Sequence, residues 1–124
     1  MKSEACVKEI IDIERIVQNL NKENKFSEKL PYCIRGLELA PDINYFLSNL
    51  AFYYYRTMAD YENAYTYLRK CLENGDTLPA VKKAYFNSLI KTNRIPDVFD
   101  VKLLKSEFDK NGRFNDSQLI LVNR

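Results

Sequence analysis

Apolar residues recur every three or four positions through most of the chain, the spacing of helices with one buried face. Near the N-terminus they fall at Cys6, Ile10, Ile13, Ile16, Val17 and Leu20, followed by a polar turn from Asn21 to Lys25. Phe26, Leu30, Cys33, Ile34 and Leu37 mark a second helix, with Ser27 as its expected cap and Pro31 just beyond its first turn. The residue before proline is pushed out of the helical region, so Ala40-Pro41 ends it. Asp42 is the expected cap of a third helix carrying Tyr45, Phe46, Leu47, Leu50, Ala51 and Tyr54. After a turn at Thr57–Ala59, Asp60 is expected to cap a fourth, with Tyr61, Ala64, Tyr65, Leu68, Cys71 and Leu72 on its apolar face. Gly75 can supply the left-handed residue that stops it. Thr77 is the expected cap of a fifth helix, with Pro79 in its first turn and Val81, Ala84, Tyr85 and Leu89 behind it. Pro96 opens a sixth, striped by Val98, Phe99, Val101, Leu103, Leu104 and Phe108 and closing near Asn111-Gly112. The tail DSQLILVNR reads as a last helical turn or two over the open end, or as a strand; helix is the expectation.

The pattern repeats along the chain. In the odd-numbered helices a shift of 34 carries Ile13, Ile16, Val17 and Leu20 onto Leu47, Leu50, Ala51 and Tyr54, and then Leu47, Leu50 and Ala51 onto Val81, Ala84 and Tyr85. From the second helix to the fourth the shift is 35, and the extra residue is assigned to the Thr57–Ala59 turn. Each helix pair has an apolar stripe too wide for its partner alone, so stacking pairs side by side buries the remainder. Gly36, Ala51 and Ala64 would let neighbouring helices approach closely.

These positions resemble the tetratricopeptide repeat, a helix-turn-helix unit of about 34 residues. Leu47, Leu50, Ala51 and Tyr54 look like the core positions of that family's first helix, and Tyr61, Ala64, Leu68 and Cys71 like those of its second. Gly36 and Pro41 stand where the family has a small residue and its closing proline. Lys29 replaces an expected small residue, Asn24 and Ala59 stand where a turn glycine is common, and Ser88 takes an aromatic position. The resemblance implies an all-α fold of antiparallel helix pairs stacked as a short TPR-like alpha-solenoid, about six helices plus a short C-terminal segment. A single domain spanning 1–124 is expected, with units at 10–41, 43–76 and 77–111 and a cap at 112–124. The odd-numbered helices would form its concave face.

Six of the nine tyrosines lie between residues 50 and 75. Tyr54, Tyr61 and Tyr65 share the core face; Tyr53 and Tyr67 point outward or to the next repeat. Tyr45, Asn49, Phe52, Tyr55, Arg56, Lys82 and Phe86 are expected to form an inner, partner-binding surface, since aromatics and arginine anchor protein interfaces. Family members grip a partner's C-terminal carboxylate from this face; here Glu14 and Gln18 occupy the positions that would start such a clamp, and Asn49 and Lys83 match only in part.

Composition narrows the chemistry. The chain has 124 residues, 46% hydrophobic and 29% charged, which is globular rather than disordered. It has no histidine, which excludes Ser-His and Cys-His nucleophilic pairs. Its three glycines are isolated, so no phosphate-cradling loop exists. Cys6, Cys33 and Cys71 are widely spaced and read as small core hydrophobes rather than disulfide or zinc ligands. The stretch 108–116, FDKNGRFND, lacks the glutamate and acid spacing of a calcium loop. No enzyme activity, cofactor or metal is expected. No apolar run reaches the ~18–20 residues needed to span a bilayer, no secretory signal is evident, and the cytoplasm is the expected compartment. The net charge is +2, with nine basic and five acidic residues after position 76. The basic third, Lys82, Lys83, Lys91, Arg94, Lys102, Lys105, Lys110 and Arg113, offers RNA binding as an alternative, although the acids interrupt it. The leading expectation is a small adaptor or inhibitor that binds another protein, with a toxin neutralised by an immunity protein as one such pair. A secretion-chaperone role and weak self-association are further alternatives.

Overall fold

A computed structural model describes residues 2–124. Local capping chemistry sets most helix boundaries. In α1 (Glu4–Lys22) Ser3 accepts the Cys6 N–H at 3.1 Å. A 3-10 turn, Ser27–Lys29, leads into α2 (Leu30–Leu39), whose first turn holds Pro31. α3 (Asn44–Phe52) runs on into a π turn, Tyr53–Thr57. α4 (Tyr61–Glu73) is capped by Asp60, which accepts the Asn63 N–H at 3.2 Å. α5 (Pro79–Lys91) begins on a proline, and α6 (Val98–Asn111) on a reciprocal capping box between Asp97 and Asp100. α7 (Asp116–Val122) opens on a second box, Asn115 with Gln118, so the tail is helical. The described residues are all helical and turn.

Three expected caps do not form. Ser27 lies inside the 3-10 turn, Asp42 lies two residues before α3, and Thr77 is passed over; none of the three caps its helix through its side chain. Asp76 instead accepts the Leu78 N–H at 2.9 Å, just ahead of α5. Gly75 and Gly112 take left-handed φ of 89° and 73° at the ends of α4 and α6.

The structure carries the repeat in its backbone. Among the described residues Asn24, Ala59 and Asn93 are the three non-glycine residues with positive φ, at 58°, 49° and 54°, and each closes the turn inside a helix pair. They lie 35 and 34 residues apart. The extra residue assigned to the Thr57–Ala59 turn is absorbed in the π turn that runs into it, a one-residue insertion in the helix.

Helices α1 to α5 pack each on the next. One cluster joins Ile13 and Val17 of α1, Cys33 of α2, and Phe46 and Leu50 of α3. A second runs from Leu47 and Ala51 through α4 and α5 to Leu104 and Leu121. Leu37, Tyr54 and Tyr67 pack against both, and the Tyr54 and Tyr67 rings stack at 5.8 Å. The close approach of α2 to α3 depends on Gly36, where an added Cβ would sit 2.6 Å from the Phe46 ring. Burial pushes the Cys33 thiol up to about 11 and the Cys71 thiol up to about 12, so both stay protonated in the core. Cys6, expected in the core, is only partly buried.

The third unit departs from the pattern. α7 lies directly on α5, whereas α6 meets α5 across a wider gap through long side chains. Among the residues expected in the α6 stripe, Val98, Val101 and Phe108 are exposed. Leu104 of that stripe is buried, but the residues buried beside it are the acids Asp100 and Glu107.

Candidate interaction surface

The seven residues expected on the inner face divide between two grooves and the wall beside them. The first groove, about 270 Å³, lies between the end of α1 and α3 and includes Asn49, Phe52 and Arg56. The second, about 540 Å³, is lined by Tyr55, Lys82 and Phe86, with Asn87 and residues of α6 and α7. Tyr45 belongs to neither. It is half-buried, edge-on to Phe46 at 5.8 Å, and its hydroxyl is raised above its ordinary value by burial and then by Glu14.

Tyr55 and Arg56 are neighbours in the π turn, and each serves a different groove. The Arg56 guanidinium lies over the Phe52 ring, 4.4 Å from its centre, which holds an exposed cation and a half-exposed aromatic in one orientation. The Tyr55 hydroxyl accepts a hydrogen bond from Asn87 Nδ2 at 2.7 Å, and its ring stands edge-on to Tyr61. Asn49 faces inward: its Oδ1 accepts from Asn21 and Lys29, and its Nδ2 donates to the Tyr45 carbonyl.

Two expected anchors are not available. Phe86 is only 3% exposed and belongs to the core, so its edge alone reaches the second groove. Lys82 is half-buried and paired with Glu107 at 2.7 Å, so its charge is spent inside the molecule. Tyr53, expected to point outward or to the next repeat, is buried at 8% exposure in the π turn, so it is not on the outer surface.

Lys29 was legible only as a departure from the repeat. It is buried, and its ammonium donates to Asn21 Oδ1 at 3.0 Å and Asn49 Oδ1 at 3.2 Å in the wall of the first groove. Burial lowers its pKa below the ordinary lysine value, with Cys33 opposing that shift and Arg56 adding to it.

A third groove had only an indirect signal, the surplus of apolar residues in α6. It is about 640 Å³, open between α6 and α7, and lined by Ile95, Val101, Leu104, Phe108 and Phe114 among others. Ile95 and Val98 are 76% and 73% exposed. Polar ties hold its frame. Arg69 Nη1 reaches Asp97 at 2.9 Å and the Tyr85 hydroxyl at 3.2 Å, and that hydroxyl donates to the buried Asp100. Burial raises Asp100 above the usual carboxylate range, with the neighbouring Asp97 charge acting the same way. Arg124 donates to the carbonyls of Leu89 and Ile90 at the end of α5.

The basic residues of the last third do not gather on one surface. Lys82, Lys83 and Lys110 line the second groove, Lys105 the third, and Arg94 lies 3.9 Å over Tyr65 and pairs with Glu62. Among the described residues no helix is long and apolar enough to cross a membrane. Comparison with protein-family models, with curated proteins and with solved structures finds no match to this chain.

Proposed function

We propose that the chain is a non-enzymatic protein-binding module of tetratricopeptide-like design, an adaptor or inhibitor acting in the cytoplasm through the face formed by α1, α3 and α5. A toxin held inactive by direct contact is one partner of this kind. The observation that carries the reading is two partly open aromatic side chains, each lining a groove. Phe52 and Tyr55 are half-exposed, and each is already fixed, Phe52 under Arg56 and Tyr55 by Asn87. Aromatic side chains ordered before binding lose little entropy when a partner covers them, which is what an interface anchor requires.

The test is the affinity of purified variants for the protein that co-purifies from the native host. Tyr55→Ala and Arg56→Ala should each weaken binding by roughly thirty-fold with unchanged melting curves, the loss expected of central anchors. Losing Arg56 should also reduce the salt sensitivity of association. Phe86→Ala should act by unfolding the protein instead, since its ring is core. Binding that survives the first two changes and fails on altering Lys70 and Glu73 would move the function to the opposite face.

A further inference from the structure

The first groove contains a buried cation with no counter-ion. Lys29 is 5% exposed, and two of its three ammonium donors are used by Asn21 and Asn49. Among the described residues it forms no ion pair. Cys33 cannot supply the charge, because its thiol stays protonated with a pKa of about 11. A second cation, Arg56, lines the same groove and among the described residues forms no ion pair either. Buried charges are ordinarily paired, and an uncompensated ammonium in a core position is unfavourable. A smaller apolar residue would fit a helix seam without this cost.

The shape of the groove limits what it can hold. It has room for about 270 Å³, enough for one side chain rather than a length of chain. Its walls are the Phe26 ring, 5.4 Å from the Lys29 ammonium, and the Phe52 ring beneath Arg56. Ser48 adds a hydroxyl at the rim, although it already donates to the Tyr45 carbonyl.

We propose that this groove is a seat for an aspartate or glutamate side chain presented by a partner protein, with the Lys29 ammonium and the Arg56 guanidinium as its two cations. Phe26 and Phe52 flank the carboxylate and keep water from the contact. The proposal rests on the protein-binding reading and adds the chemistry of one contact. None of Glu14, Gln18 and Lys83 takes part in it.

Two small probes separate the side-chain carboxylate from a chain terminus. N-acetylglutamate N-methylamide carries only the side-chain group, and N-acetylglutamine only the terminal one. Each is titrated into the isotope-labelled full chain at constant ionic strength, with inorganic phosphate as a third arm, and the side-chain amides of Asn21 and Asn49 are followed by NMR. The first probe should move both amides saturably. Lys29→Met and Arg56→Gln should each weaken it at least about tenfold, the loss of one charge-assisted hydrogen bond. Arg56 is exposed, so its variant remains informative if Lys29→Met fails to fold. No saturable shift, an equal response to phosphate, a stronger response to N-acetylglutamine, or undiminished binding in both variants would each overturn the seat. Any of these results would leave partner capture through Phe52 and Tyr55 standing on its own test.

Discussion

Helices α1 to α4 and helices α5 to α7 solve the same packing problem in different ways. In the first region small residues sit at the seams: Gly36 lies against the Phe46 ring, and Ala51 and Ala64 are fully buried. Backbones approach closely there, and the repeat keeps its register. In the second region the inward side of α6 carries Asp100 and Glu107 on either side of Leu104. Carboxylates cannot be pressed into a dry seam, so they reach polar partners across a gap: Tyr85 and Arg69 for Asp100, Lys82 for Glu107. α7 takes the place beside α5 that close packing would have assigned to α6. The displaced apolar residues of α6 then line an open groove instead of a core. Small residues maintain a repeat, and buried acids can end one while still positioning a helix.

This contrast can be broken at several points. The largest effect should come from Ala64→Glu, which places an unpaired carboxylate in a fully buried seam and should cost about 4 kcal/mol. The exposed control Glu62→Ala loses only its surface pairing with Arg94 and should cost less than about 0.5 kcal/mol. Equal denaturation midpoints for the two would remove the seam from the account. Leu121→Ala should cost about 3 kcal/mol, because Leu121 is 1% exposed and anchors α7. Hydrogen exchange should show protection lost first in α6 and α7 and kept in α1 to α4. A uniform loss would mean that the two regions unfold as one unit.

Gly36→Ala should cost about 2 kcal/mol, since the new methyl meets the side of a buried ring and α2 must move away from α3. A melting temperature equal to that of the parent would show that the seam has slack. The smallest effect has the opposite sign. Ala59 holds a φ of 49°, which strains any residue with a Cβ. Ala59→Gly should stabilise the chain by up to about 1 kcal/mol, read as a raised denaturation midpoint.

Much of the local structure was legible because its causes are local. Asp60 caps α4, Gly75 and Gly112 stop their helices, and Asp116–Val122 form a helix, all through contacts within a few residues. Helix periodicity placed Leu47, Leu50, Ala64, Leu68, Val81 and Tyr85 in the core, where they lie. The same reading placed Phe52, Tyr55 and Arg56 together on an open face, and they line its grooves. Where two signals competed, it failed: Asp42 and Thr77 have the chemistry of caps, but Ile43 and Leu78 stand at the cap positions.

The sequence by itself determined the helices, their order and the spacing of the turns, because hydrogen-bonded caps and a 3.6-residue period act over short stretches of chain. Tertiary structure alone decided which side of α6 faces inward, whether Phe86 is an anchor or core, and that Lys29 is buried. Each of those outcomes depends on partners distant in sequence. Asp100 is turned inward by Tyr85 and Arg69, Glu107 by Lys82, and Lys29 is held by Asn21 and Asn49. A polar side chain gives no sign in its own neighbourhood of whether a distant donor or acceptor will meet it, and in this protein that meeting decides which faces close and which stay open.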